Sequence, residues 1–168
     1  MERLWAPWRM KYIEGADTSD GCIFCDKAAE DKDARNLILL RGKKAFIMMN
    51  AFPYSNGHLM ISPYSHTADL DTLSDPELLD LMHLTRRGVN LLKEAFRPDG
   101  FNIGVNMGRV AGAGIADHIH IHVVPRWSGD TNFMPVIGDV RVIPESLEVV
   151  YSRLVEKLGK PDSSLRSE

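Results

Sequence analysis

Three histidines stand at alternate positions in His118-Ile119-His120-Ile121-His122-Val123-Val124. Imidazole titrates near neutral pH and can act as a nucleophile, a proton donor or a metal ligand. On an extended strand, residues two apart share a face. The three imidazoles are therefore expected on one side of a strand, with Ile119, Ile121 and Val123 filling the other. A hydrogen-bonded structural role is the ordinary account of a single histidine. It is a poor account of three in register, in a chain where only 6 of 168 residues are histidine.

Two chemistries compete for this run. In the first, an H-x-H pair supplies two zinc ligands, a third comes from elsewhere, and an open position holds water. Cα atoms two apart on a strand are separated by ~6.6 Å and those four apart by ~13 Å, so His118, His120 and His122 do not all reach one ion. In the second, His120 is a nucleophile that attacks an activated phosphorus and forms a phosphoramidate intermediate. That chemistry needs anion binding beside the nucleophile. Gly112-Ala113-Gly114 precedes the run and can present backbone N–H groups to a phosphate. Asn106 can add an amide donor.

The elements that must position these residues are legible from periodicity. Leu37 to Leu40 and Ala45 to Met49 are short apolar runs joined by a turn at Gly42-Lys43-Lys44. Asn50 to Gly57 is a dense turn signal, and His58 to Ser62 resumes as a strand that stops at Pro63. Ser74, Pro76 and Glu77 open a long helix with a capping box. Leu78, Leu81, Met82, Val89, Leu92 and Phe96 form its core-packing stripe, and Pro98-Asp99-Gly100 ends it. Phe101 to Met107 alternates as a strand and runs through a glycine-rich loop into the histidine strand. A last helix spans Pro144 to Leu158, with Leu147, Val150, Tyr151, Leu154 and Leu158 as its stripe and Gly159 at its end. Strands, long helix, strands, helix with short connections give an α+β domain, an antiparallel sheet covered on one face by helices. Residues 1–20 read as an apolar N-terminal arm (Trp5, Trp8, Met10, Tyr12, Ile13) that packs on the domain or on a partner subunit. Residues 21–159 read as the domain, and 160–168 as a polar tail.

Composition bounds the function. The apolar content of 44% and charged content of 26% fit a globular domain. The net charge of −3 provides no global field for a nucleic acid polymer. No run approaches the ~18 apolar residues of a membrane span, and the N-terminus is too polar and too rich in Trp and Pro for a signal peptide. A cytoplasmic protein without a membrane partner is expected. The two cysteines, Cys22 and Cys25, are three apart. In a reducing compartment that spacing more often serves metal or redox chemistry than a structural disulfide.

His118 to Val124 fits the histidine-triad (HIT) signature at every position, and Asn50 followed by Gly57-His58-Leu59 and Pro63 resembles the nucleotide-binding strand pair of that family. The resemblance spans residues 20–127. Leu4-Trp5-Ala6-Pro7-Trp8-Arg9-Met10, Val124-Pro125-Arg126-Trp127 with Gly129 to Phe133, and Arg141 to Leu147 are similar to one bacterial branch, which includes phosphorylases of diadenosine tetraphosphate. The resemblance implies a HIT-like antiparallel sheet of about five strands, a homodimer, a nucleotide substrate with adenine favoured, and no organic cofactor. It implies nucleotidyl transfer through a covalent nucleotidyl-His120 intermediate, with phosphate or water as acceptor. His122 would bond the phosphate or leaving group, Asn50 the ribose hydroxyls, and Asn106 with Gly112, Ala113, Gly114 and Ile115 the phosphates. Relatives often carry Ser or Thr at the position of Ile115, which offers only its backbone N–H.

Zinc-containing relatives use a Cys-x-x-Cys, a distant His and the His two before the nucleophile. By that resemblance Cys22, Cys25, His66 and His118 would hold structural zinc and fasten the N-terminal segment to the nucleophile's strand. His58 belongs either to the active-site network or to the strand end as a structural residue. The alternatives are a nucleoside phosphoramidate hydrolase, a nucleotide-binding module without turnover, and a metal-dependent hydrolase built on His118, His120 and His122.

Overall fold

A computed structural model describes residues 21–130 and 143–159. The arm at 1–20, residues 131–142 and the tail from 160 lie outside the described residues. Five strands form one antiparallel sheet: β1 (Ile38–Arg41), β2 (Ala45–Met49), β3 (Leu59–Pro63), β4 (Gly100–Val105) and β5 (Ile121–Arg126), in the order β1-β2-β3-β5-β4. Among the described residues, four α-helices accompany it: α1 (Ile23–Ala29), α2 (Asp33–Asn36), α3 (Asp75–Phe96) and α4 (Leu147–Leu158). This is the expected α+β architecture with its five strands, long helix and C-terminal helix.

Alternation along the strands sorts two cores. Ala45, Ile47 and Met49 of β2, Leu59 and Ile61 of β3, and Ile121 and Val123 of β5 pack under α3 and α4. Phe46, Met48 and Met60 project to the other face and pack with Ile38 and Phe24. The sequence reading covers one face only and takes 26–35 as a charged stretch. Instead, α1 carries Phe24 onto the second face, and α2 turns the chain into β1. Each fully buried Leu, Ile or Phe in these layers contributes about 1.5–3 kcal/mol of transfer free energy.

Helix α3 begins at Asp75 after Ser74, whose N–H and hydroxyl both donate to the Glu77 carboxylate, at 2.9 and 2.6 Å. Its buried face differs from the expected stripe: Leu81, Leu84, Thr85, Gly88, Leu91 and Leu92 are buried, while Met82 is 59% exposed. The helix lies so close to the sheet that a Cβ on Gly88 would meet Leu59 Cδ1 at 3.3 Å. Small residues therefore sit where an apolar count expects large ones. Asp80 reaches from α3 to accept the N–H groups of Lys44 and Ala45 at 2.6 and 3.0 Å, fixing the β1–β2 hairpin. Helix α4 starts at Leu147 rather than Pro144, because the Ser146 side chain accepts the Val149 N–H and sets the first turn there. Gly100, expected as a helix stop, is already the first residue of β4.

The histidine run needs the main correction. Only His122 lies on β5, and His118 and His120 precede it. Strand β4 ends at Val105, opposite Ile121, and the ladder with β3 also stops at the Ile61–Ile121 pair although β3 runs on to Pro63. The backbone of Ile119 is satisfied otherwise: its N–H donates to Thr67 O at 2.7 Å, and its carbonyl accepts the Ser62 hydroxyl at 3.3 Å. The alternation still holds through the extended segment, with Ile119, Ile121 and Val123 in the helix-side core.

Candidate functional site

His118, His120 and His122 lie on the face opposite the long helix, where Phe24 packs against the first two and the ring of His120 meets that of His122 edge-on at 4.7 Å. Their hydrogen bonds assign different protons to each. His120 Nδ1 lies 2.9 Å from His118 O. A carbonyl only accepts, so Nδ1 carries the proton and Nε2 keeps the lone pair. His120 is 5% exposed. Burial holds its imidazole below the usual histidine range, opposed by the bond to His118 O. A neutral ring with a free lone pair is the nucleophilic form.

His122 is oriented through His58, which is 1% exposed. The Tyr54 N–H donates to His58 Nδ1 at 3.1 Å, and Asn50 Nδ2 approaches the same nitrogen at 3.3 Å. His58 Nδ1 is therefore an acceptor, and the proton sits on Nε2, 3.0 Å from His122 Nδ1. With Nδ1 accepting, neutral His122 carries its own proton on Nε2. The Tyr54 ring backs the pair, with centroids 4.6 Å from His58 and 5.7 Å from His122. Asn50 Oδ1 accepts the Phe52 N–H at 2.9 Å, so Asn50 closes the turn and abuts the histidine relay at once. Gly57 ends this turn at φ +75, with Leu92 2.9 Å from where a Cβ would lie; only glycine suits both.

The loop before the run is wound on itself. Gly112 N–H donates to Arg109 O at 2.9 Å, and Ala113 N–H to Gly108 O at 3.3 Å. Asn106 Nδ2 reaches Gly112 O at 3.5 Å. The amides of Gly114 and Ile115 take no part in these loop bonds, and the Ile115 side chain packs against the core around Phe24.

His118 faces a separate cluster. One ligand atom from each of Cys22, Cys25, His66 and His118 lies within 4.8 Å of the others. His118 Nε2 donates to Pro63 O at 3.0 Å, which leaves Nδ1 as an acceptor toward Cys22 Sγ at 3.1 Å and Cys25 Sγ at 3.5 Å. His66 Nδ1 lies 3.4 Å from Cys25 Sγ. Around a tetrahedral zinc, sulfur and nitrogen ligands stand about 3.6 Å apart, close to these separations. Burial, then the neighbouring Cys22, pushes the Cys25 thiol up to about 11. A divalent cation at this position would offset that cost to the Cys25 thiolate. Burial likewise lowers the His118 imidazole and keeps it neutral, as a ligand must be.

The structure thus brings all four sulfur and nitrogen groups together, and separately gathers His58, His120, His122 and Asn50. Sequence reasoning did not single out Phe24 or Tyr54. The Phe24 signal was its place between two cysteines; Tyr54 lay in a segment that read only as turn.

Comparison with known proteins follows the same division. The HIT domain family matches residues 31–129, a span that takes in the histidine run and His66 but not Cys22 and Cys25. The chain is 39% identical over 154 residues to a protein of Mycobacterium tuberculosis named AP-4-A phosphorylase, covering 88% of this chain and 79% of that one. It is 30% identical over 137 residues to an adenosine 5'-monophosphoramidase of Schizosaccharomyces pombe, covering 82% and 98%. A zinc-bound histidine triad family protein from Mycobacterium smegmatis has a similar structure, with a TM-score of 0.66 at 27% identity, over 86% of this chain and 95% of that one. From the matched span and the length of the alignments, this chain belongs to the HIT domain family.

Proposed function

We propose that this protein transfers a nucleotidyl group from a dinucleoside polyphosphate, such as diadenosine tetraphosphate, through a covalent intermediate on His120. The observation that carries the reading is the hydrogen bond from His120 Nδ1 to His118 O, which commits the lone pair to Nε2 in a buried, neutral ring. Nε2 attacks the α-phosphorus, the bond to the bridging oxygen breaks, and ATP departs with the electron pair. An oxygen of inorganic phosphate then attacks the same phosphorus, the P–N bond breaks, and ADP leaves. With water in place of phosphate the product is AMP. His122, with its proton on Nε2, hydrogen-bonds the phosphate oxygens; Asn50 holds the ribose hydroxyls; Asn106 and the 112–115 loop hold the phosphates, with the Gly114 and Ile115 amides as the donors not spent within the loop.

The 39% identity to a protein named AP-4-A phosphorylase favours phosphate as the acceptor. The fungal relative named adenosine 5'-monophosphoramidase favours a second reading, hydrolysis of a nucleoside phosphoramidate by the same intermediate.

We further infer that Cys22, Cys25, His66 and His118 hold zinc. A closed set of two thiolates and two imidazoles leaves no position for substrate, so zinc, when bound, supplies a structural cross-link between the α1 segment and the approach to β5. The reading includes a homodimer, supported by the edge strand β4 with Ile103 51% exposed, and a cytoplasmic location. Among the described residues, no helix is long and apolar enough to cross a membrane.

The test is product analysis. Pure protein with diadenosine tetraphosphate and phosphate is expected to yield ADP and ATP, and His120→Ala none above background. AMP in place of ADP would assign water as acceptor. No turnover of this substrate, with release of AMP from an adenosine phosphoramidate, would move the assignment to the second reading.

A further inference from the structure

We propose that Phe24 is a positioning residue for His120, holding its imidazole in the rotation that leaves Nε2 available to the substrate. The inference rests on His120 being the nucleophile. His120 has a soft terminal torsion, broad and roughly two-fold for an imidazole, and the bond that fixes its tautomer runs to a backbone carbonyl only two residues away. That bond alone constrains the ring little. The ring is confined by its neighbours: the Phe24 ring lies 4.8 Å away at 37°, and the His122 ring 4.7 Å away at 73°.

Phe24 is itself immobilised from both ends of α1. At the start, Cys22 and Cys25 flank it and face His118 and His66. At the far end, Arg41 of β1 donates to Ala28 O at 2.7 Å and Glu30 O at 2.8 Å, while pairing with Asp33. The same ring also packs against His118 at 5.0 Å. Phe24 is 0% exposed, so it presents no surface to a nucleotide, and its influence passes through the histidines it touches. The two cysteines thus do more than anchor a terminus. They set the height of the ring against which the nucleophile rests.

The experiment combines kinetics with imidazole NMR on the full chain, using Phe24→Leu, which keeps apolar volume but removes the flat face. In wild-type protein His120 is expected as a single Nδ1–H tautomer with cross-relaxation to the Phe24 ring protons. In Phe24→Leu, kcat is expected to fall about tenfold to a hundredfold with KM within about threefold. The Nε2–H tautomer of His120 should appear, with zinc content unchanged. An unchanged kcat, a change confined to KM, or a fall in kcat with the His120 spectrum unaltered overturns the proposal. Phe24→Met, which fills irregular gaps, replaces Phe24→Leu if that variant does not fold. If neither folds, the wild-type spectrum decides, and absence of contact between the Phe24 and His120 rings overturns the proposal. Should wild-type protein turn over no nucleotide, the functional reading fails on that assay, while the tautomer and ring contacts still judge the role of Phe24.

Discussion

His58 Nε2 stands 3.0 Å from His122 Nδ1, and because His58 Nδ1 accepts the Tyr54 N–H, the proton between the two rings belongs to His58. A backbone amide in the 50–57 turn thereby sets the tautomer of a histidine on β5, the strand that pairs with β3. Replacing His58 with Ala should lower kcat by up to about a hundredfold and change KM little. His58→Gln can accept from Tyr54 and donate to His122, and should recover part of the loss. Steady-state kinetics on both variants checks this, and equal loss in both would remove the relay from the account.

Metal content separates the two histidine clusters. Purified wild-type protein and His120→Ala should each carry about one zinc per chain, and Cys22→Ser should carry none, as measured by elemental analysis. A chelator should lower the melting temperature of wild-type protein and leave Cys22→Ser unmoved. Zinc lost with His120→Ala and kept with Cys22→Ser would instead indicate a catalytic metal on the histidine run.

Gly88 marks the closest approach of α3 to the sheet. A side chain there meets Leu59 and Ile47. Gly88→Val should destabilise the fold by about 1–3 kcal/mol through overpacking, read from urea denaturation midpoints at constant slope. An equally stable variant would mean that the helix shifts freely away from the sheet.

Glu77 links stability to pH at the start of the same helix. Hydrogen bonds from Ser74, side chain then backbone, and from Ser65 pull its carboxyl down from 4.5 to about 2. The folded state then holds this proton less tightly than the unfolded chain does. The stabilisation is complete above 4.5 and is lost as pH falls from 4.5 toward 2. Glu77→Gln should therefore be less stable than wild type at pH 7, and the gap should close toward pH 2. A gap independent of pH would assign the effect to packing or helix propensity.

The separation of the histidines into two clusters was legible in part. Strand spacing already excluded all three from one ion, and the alternation of His118, His120 and His122 with Ile119, Ile121 and Val123 survives. What spacing did not reveal is that regular pairing begins only at Ile121, since strand length depends on where a distant partner ends. The contribution of α1 was hidden for a similar reason. Seven residues carry too short a helical period to stand out, and the charges that follow mask the single aromatic that matters. Helical periodicity puts Met82 in the core, yet it is exposed and Thr85 and Gly88 are buried instead, because closeness of approach favours small residues that an apolar pattern does not count.

A nucleotidyl-His120 intermediate leaves its mark on the stereochemical course at phosphorus. A substrate made chiral at the attacked phosphorus passes through two in-line displacements if His120 carries the nucleotidyl group, and the product should show net retention. Inversion would mean that the acceptor attacks the substrate directly, and would contradict the account.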